Sequence, residues 1–119
     1  MQTIYERNGG FPTIRKVVSD FYDRVLDSPV ISHHFENVDM ARLIDHQTRF
    51  VSFLMGGPAS YSEDHLERVH AHHGITRPEF QEMVALLSET LEDHGFAADD
   101  IATVQKELGK RERIIVTVH

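Results

Sequence analysis

Apolar residues recur at spacings of three and four along almost the whole chain, and this helical period is the feature that limits the fold most. It is clearest between Asp39 and Met55, where Met40, Leu43, Ile44, Phe50, Val51 and Leu54 fall on one face. One polar residue shares that stripe. Gln47 stands four after Leu43 and three before Phe50, so a primary amide points where the hydrophobes point. A buried amide needs partners, so this position asks for an explanation. His46 lies at the edge of the same stripe. Asp39 is placed to cap this helix, and Gly56-Gly57-Pro58 to end it.

The other elements follow from similar signals. Thr3 and Glu6 are spaced as a capping box for a short helix over Thr3–Asn8, which Gly9-Gly10 ends. A stronger helix starts at Pro12 and carries Ile14, Val17, Val18, Phe21, Tyr22, Val25 and Leu26 on one face until Asp27-Ser28-Pro29. Pro29 to Asn37 suits one or two tight turns presenting Ile31 and Phe35. Ser62 starts a further helix marked on one side by Leu66, Val69, His70 and His73, and Gly74-Ile75 reads as a left-handed cap. Thr76-Arg77-Pro78-Glu79 is a second capping box. The helix it opens runs to about Asp93, burying Phe80, Met83, Val84, Leu87 and Leu91, and His94-Gly95 ends it. A last helix from about Ala98 uses Ile101, Val104, Leu108 and Ile115; Gly109 weakens its middle, and Ile114–Val118 could equally be extended. The fold class is all-α, and residues 1–119 are expected to form one domain.

Composition narrows the chemistry. There is no cysteine, which excludes disulfides, a thiolate nucleophile and cysteine-held metals, whereas nine histidines direct any metal chemistry toward imidazole. A net charge of −7 disfavours nucleic acid and anionic membranes as partners. The N-terminus lacks the basic and apolar regions of a signal peptide, and no apolar run approaches about 18 residues. A cytoplasmic monomer is expected.

His70 either packs on the helix edge or serves as a single axial ligand to an iron, its second ring nitrogen donating to a carbonyl near Leu66. Two other metal readings are weaker. Glu67 and His70 form one Glu-x-x-His where a di-iron bundle needs two, and His70 with His73 lacks the helical His-Glu-x-x-His of a zinc enzyme. Tyr22 and Gln47 are two inward polar groups in apolar surroundings, which is what a pocket needs to orient a small polar ligand.

The stretches Tyr5–Gly10, Phe21–Leu26, His34–Met40, His46–Phe50, Gly56–Tyr61 and His70–Thr76 carry a resemblance. In their order and spacing they are similar to the truncated haemoglobins of the first group, cyanobacterial and mycobacterial members included. The resemblance implies a two-over-two helical sandwich with haem b between the helix of residues 39–55 and that of 62–73. His70 then matches the proximal iron ligand, Phe35 the aromatic against the porphyrin, and Phe80 the next helix's contact with the haem. Tyr22 and Gln47 match the distal pair that hydrogen-bonds dioxygen, and Leu43 fills a distal position that is polar in many globins. Phe50, Tyr61 and Ile75 complete the haem contacts, and Arg42 and Arg49 are candidates for the propionates. His46 resembles the histidine that becomes a sixth iron ligand in cyanobacterial members; contact with a propionate is the alternative, and both stay open. Those relatives attach haem covalently through a histidine of the last helix. The only late histidine here is His119, so the haem is expected to be non-covalent. His33, His34, His65, His72 and His94 are expected to be solvated.

The implied function is reversible binding of O2, NO and CO at a ferrous haem, extending to NO dioxygenation with an external reductase, since no flavin or nicotinamide motif is present. Hydrogen-bond donors to a partly anionic oxygen contribute about 1.5–3 kcal/mol each, roughly ten- to a hundred-fold in affinity. A six-coordinate sensor or electron-transfer protein is the alternative if His46 saturates the iron. A non-haem metal-binding or purely structural bundle is the third reading.

Overall fold

The computed structural model describes residues 2–58 and 74–116. The helix expected over 62–73, with His65, His70, His72 and His73, lies outside the described residues, as do Tyr61 and His119. Six α-helices and one 3-10 turn make up the described elements: α1 (Ile4–Arg7), α2 (Gly10–Leu26), the turn Ser32–Phe35, α3 (Met40–Leu54), α4 (Arg77–Asp93), α5 (Ala98–Gly109) and α6 (Glu112–Ile115). No β-sheet is present among them.

Both capping boxes form. The Thr3 hydroxyl accepts from the Glu6 amide at 3.1 Å and the Thr76 hydroxyl from the Glu79 amide at 3.3 Å, each glutamate reaching back to the cap. Asp39 caps α3 through the Arg42 amide. Where α3 ends, Gly56 takes a φ of +82°, and the Gly57 amide donates to the Ser52 carbonyl at 2.7 Å. These are the bonds of a glycine-terminated helix, and they satisfy carbonyls that the last turn leaves without partners. Gly95 repeats the arrangement after α4, with Phe96 buried behind it. Gly74 has the left-handed φ, +60°, that its place in the sequence requires.

Two boundaries differ from expectation. α2 begins at Gly10 rather than Pro12, and Pro12 sits at the third helical position, where its missing N–H would have no intrahelical acceptor anyway. The C-terminal helix does not continue through Gly109. α5 ends there, Lys110 and Arg111 turn, and α6 restarts, so Ile114–Ile115 are helical rather than extended. A glycine in a helix interior costs roughly 1 kcal/mol, and breaking there lets Ile115 and Val116 reach the core.

α2 crosses the middle of the molecule and packs on both α3 and α4, with α5 against α4. Its Ile14, Val17, Val18 and Val25 are at most 1% exposed, which makes it the central element of one continuous core. α1 closes over the end of α3 through the Tyr5 amide, which donates to the Met55 carbonyl at 3.0 Å. Gly57 permits that approach: a Cβ there would lie 2.8 Å from the Ser52 carbonyl oxygen and 2.9 Å from the Tyr5 ring.

Candidate functional site: an apolar cavity with two polar side chains

The apolar face of α2 brings Val18, Phe21 and Tyr22 to one side of the core. Tyr22 is 4% exposed and is gripped by aromatic edges, with the Phe21 ring 4.9 Å and the Phe35 ring 5.7 Å away between centroids. Burial pushes the phenol pKa well above its ordinary value, so Tyr22 keeps its proton and acts as a donor.

α3 supplies the opposite wall. Leu43, Gln47, Phe50 and Val51 follow the three-and-four spacing onto a single face. Thr48, the buried neighbour of Gln47, returns its hydroxyl to the Ile44 carbonyl at 2.6 Å and so is satisfied within the helix. Gln47 has no such use. Neither Tyr22 nor Gln47 has a hydrogen-bond partner among the described residues, and both line the same cavity.

The third wall combines the 3-10 turn with the start of α4, and side-chain bonds hold them together. The Ser28 hydroxyl donates to a Glu82 carboxylate oxygen at 2.7 Å, and His34 Nε2 lies 2.7 Å from Glu79 Oε2. Glu79 divides its two oxygens. Oε1 accepts from the Thr76 amide at 2.8 Å while Oε2 faces His34 and, at 3.2 Å, His33. Burial pushes the Glu79 pKa up, but the Thr76 amide, His34 and the Thr76 side chain together outweigh it, so the carboxyl ionises below its ordinary range. Phe35 and Phe80, each next in sequence to a member of this pair, line the cavity beside it.

The resulting cavity encloses about 1040 Å³ of empty space, part of it open to solvent, and its lining is mostly apolar. Tyr22, Phe35, Leu43, Gln47, Phe50, Ile75 and Phe80 meet there, drawn from five separate parts of the chain. His46 and Arg49 are exposed and are not among the lining residues; Arg42 is exposed as well. Leu87 lines the cavity, whereas Leu54 and Met55 are buried in the core.

One expectation is overturned. His34 is not a solvated loop residue: its side chain is 15% exposed, it is bonded to Glu79, and it lines the cavity. His33 and His94 are exposed, though each faces a carboxylate, Glu79 and Asp20 respectively. Glu79 is the residue that sequence reasoning passed over, because its capping role accounted for it locally. His33, His34 and Glu79 also bring three ligand-capable atoms within 4.8 Å of one another.

An all-helical core opened by an apolar cavity, with Tyr22 and Gln47 on two of its walls and the His34–Glu79 pair on the third, is the arrangement of a globin-like ligand-binding protein. A model of the bacterial-like globin family matches residues 3–116. The group 1 truncated haemoglobin GlbN of Synechocystis sp. is 34% identical over 113 residues, covering 92% of this chain and 91% of that one. The truncated haemoglobin of Tetrahymena pyriformis, in its Fe(III) form, superposes with a TM-score of 0.85 at 29% identity, covering 99% of this chain and 100% of the other. The 2/2 haemoglobin of Synechococcus sp., in the cyanomet state and with covalently attached haem, gives 0.87 at 25% identity, covering 97% and 98%. The chain belongs to the bacterial-like globins, among the group 1 truncated haemoglobins, and its fold is the two-over-two helical sandwich.

Proposed function

We propose that the cavity holds haem b non-covalently and that the protein binds O2, NO and CO there. One observation carries the reading: Tyr22 and Gln47, from two different helices, line the same apolar cavity as Phe35, Phe50 and Phe80. The lining fits a large, flat, mostly apolar group, with aromatic rings on all three walls and few polar atoms to desolvate. His70 is the proposed iron ligand, supported by the family match over residues 3–116, within which it falls. Leu43 and Ile75 would pack on the ring, Tyr61 and Arg49 at its margins. When bound, the haem supplies a ferrous iron that takes a diatomic as ligand and supports oxidation of NO to nitrate by O2.

The chain's own contribution is orientation and exclusion. The Tyr22 phenol, kept protonated by burial, would donate to a diatomic held in the cavity, and the Gln47 amide would add a second N–H. Phe35 and Phe80 keep bulk water from competing for those donors, which strengthens both bonds. His46 is exposed, which supports a role at a propionate over ligation of the iron. Residues 98–118 contain no histidine, which supports non-covalent attachment. A separate reductase would return the iron to the ferrous state. No helix among the described residues is long and apolar enough to cross a membrane.

The test is haem reconstitution followed by visible spectroscopy, with O2 dissociation and nitrate production from NO measured on the loaded protein. A Soret band and a slowly dissociating O2 complex are expected. No Soret band would overturn haem binding. A six-coordinate ferrous spectrum that His46→Ala converts to five-coordinate would replace oxygen binding with the sensor or electron-transfer reading.

A further inference from the structure

We propose that His33, His34 and Glu79 form a second metal site, for a divalent ion of the zinc type, within the wall of the cavity that His34 and Glu79 line and open to solvent through His33. Their ligand atoms converge within 4.8 Å, the one such group among the described residues. Neighbouring side chains on a helical turn normally point apart. Here the His33 and His34 rings lie 4.2 Å apart, tilted by only 36°, and both Nε2 atoms address one oxygen, at 3.2 and 2.7 Å. In tetrahedral coordination, with metal bonds of about 2.0–2.2 Å, donor atoms sit about 3.3 Å apart. The His33–Glu79 separation of 3.2 Å already matches this, and the His34–Glu79 separation of 2.7 Å needs to open by about 0.6 Å to admit an ion.

The carboxylate is prepared for this role. Glu79 is 8% exposed, and the Thr76 amide on Oε1 holds the group while Oε2 remains turned to the imidazoles. A ligand oriented by a second bond of this kind is typical of built metal sites. Two neutral imidazoles and one carboxylate suit zinc or a neighbouring transition ion rather than magnesium or calcium, which take mainly oxygen ligands. The side chain of His33 is 57% exposed, so an ion can enter from solvent and keep a water as its fourth ligand. Once bound, it would join the turn that carries Phe35 to the start of α4, which carries Phe80.

The site can be tested on the haem-loaded protein by calorimetric titration with zinc chloride and metal counting after dialysis. One equivalent of zinc is expected to bind, undisturbed by excess magnesium. His33→Ala and Glu79→Gln should each weaken binding at least about ten-fold, while His94→Ala, at a histidine paired with Asp20, should leave it unchanged. Because His33 is exposed, its variant decides the matter even if Glu79→Gln does not fold. Binding weaker than about 1 mM, or binding that His33→Ala leaves intact, overturns the proposal.

Discussion

The Tyr22 ring meets the Phe35 ring edge to face, with planes at 69° and centroids 5.7 Å apart. One residue lies on the central helix and the other closes the 3-10 turn, so the turn's position sets how the Tyr22 phenol stands in the cavity. Tyr22→Phe preserves that packing and removes only the hydroxyl. O2 dissociation from the haem-loaded variant should rise roughly ten- to a hundred-fold in stopped-flow measurements, with thermal stability nearly unchanged. Because burial pushes the phenol pKa up, the parent should show no step from tyrosine ionisation as pH passes its ordinary value of 10.0.

Gln47 is half-buried on an otherwise apolar stripe and has no partner among the described residues. Gln47→Leu should hold or slightly raise the unfolding free energy, since it replaces an unpartnered amide with a side chain suited to its neighbours. It should also speed O2 release by about ten-fold. An amide that mattered only to folding would give the opposite pattern.

Glu79 is an acid-sensitive point of the fold. Its folded pKa lies below the ordinary value of 4.5, so its bonds contribute fully above that value and are lost as pH falls through the lower folded value. Glu79→Gln should therefore destabilise the protein by about 1–2 kcal/mol in urea unfolding at neutral pH. The gap from the parent should shrink below pH 4.5, where the parent's own carboxyl takes up its proton.

Gly57→Ala tests the closure of α1 on α3. The added methyl meets a backbone oxygen at 2.8 Å, which cannot swing aside as a side chain can. A loss of about 1–3 kcal/mol is expected in thermal unfolding, with the haem spectrum unaltered.

What could be read from the residue order was whatever short-range chemistry decides. Thr3 with Glu6, Thr76 with Glu79 and Asp39 with Arg42 are bonds across three residues, and all three form. Gln47 stood out because a 3.6-residue period places it among hydrophobes, and the cavity is where it lies. The burial of His34 is not legible in its neighbours because its partner, Glu79, is 45 residues away, a distance that no local pattern spans. The apolar spacing continues past Gly109 and so predicts an unbroken helix, yet the packing of Ile115 and Val116 goes with a break there. The exposure of His46 and Arg49 depends on how α3 is rolled against α2, which their spacing leaves undetermined.

The Tyr5–Met55 backbone bond has a kinetic consequence. α1 contains no buried residue and is held by the Tyr5 amide at the end of α3, by the partly buried Ile4 and Tyr5 against the core, and by the Arg7–Asp100 ion pair. It should be the unit that opens by local unfolding at the lowest free energy, while Val17 and Val18 are released only with the whole core. In amide hydrogen exchange, Tyr5 should then lose protection far sooner than the α2 core, so the N-terminal turn can breathe without disturbing the helices that carry Tyr22 and Gln47.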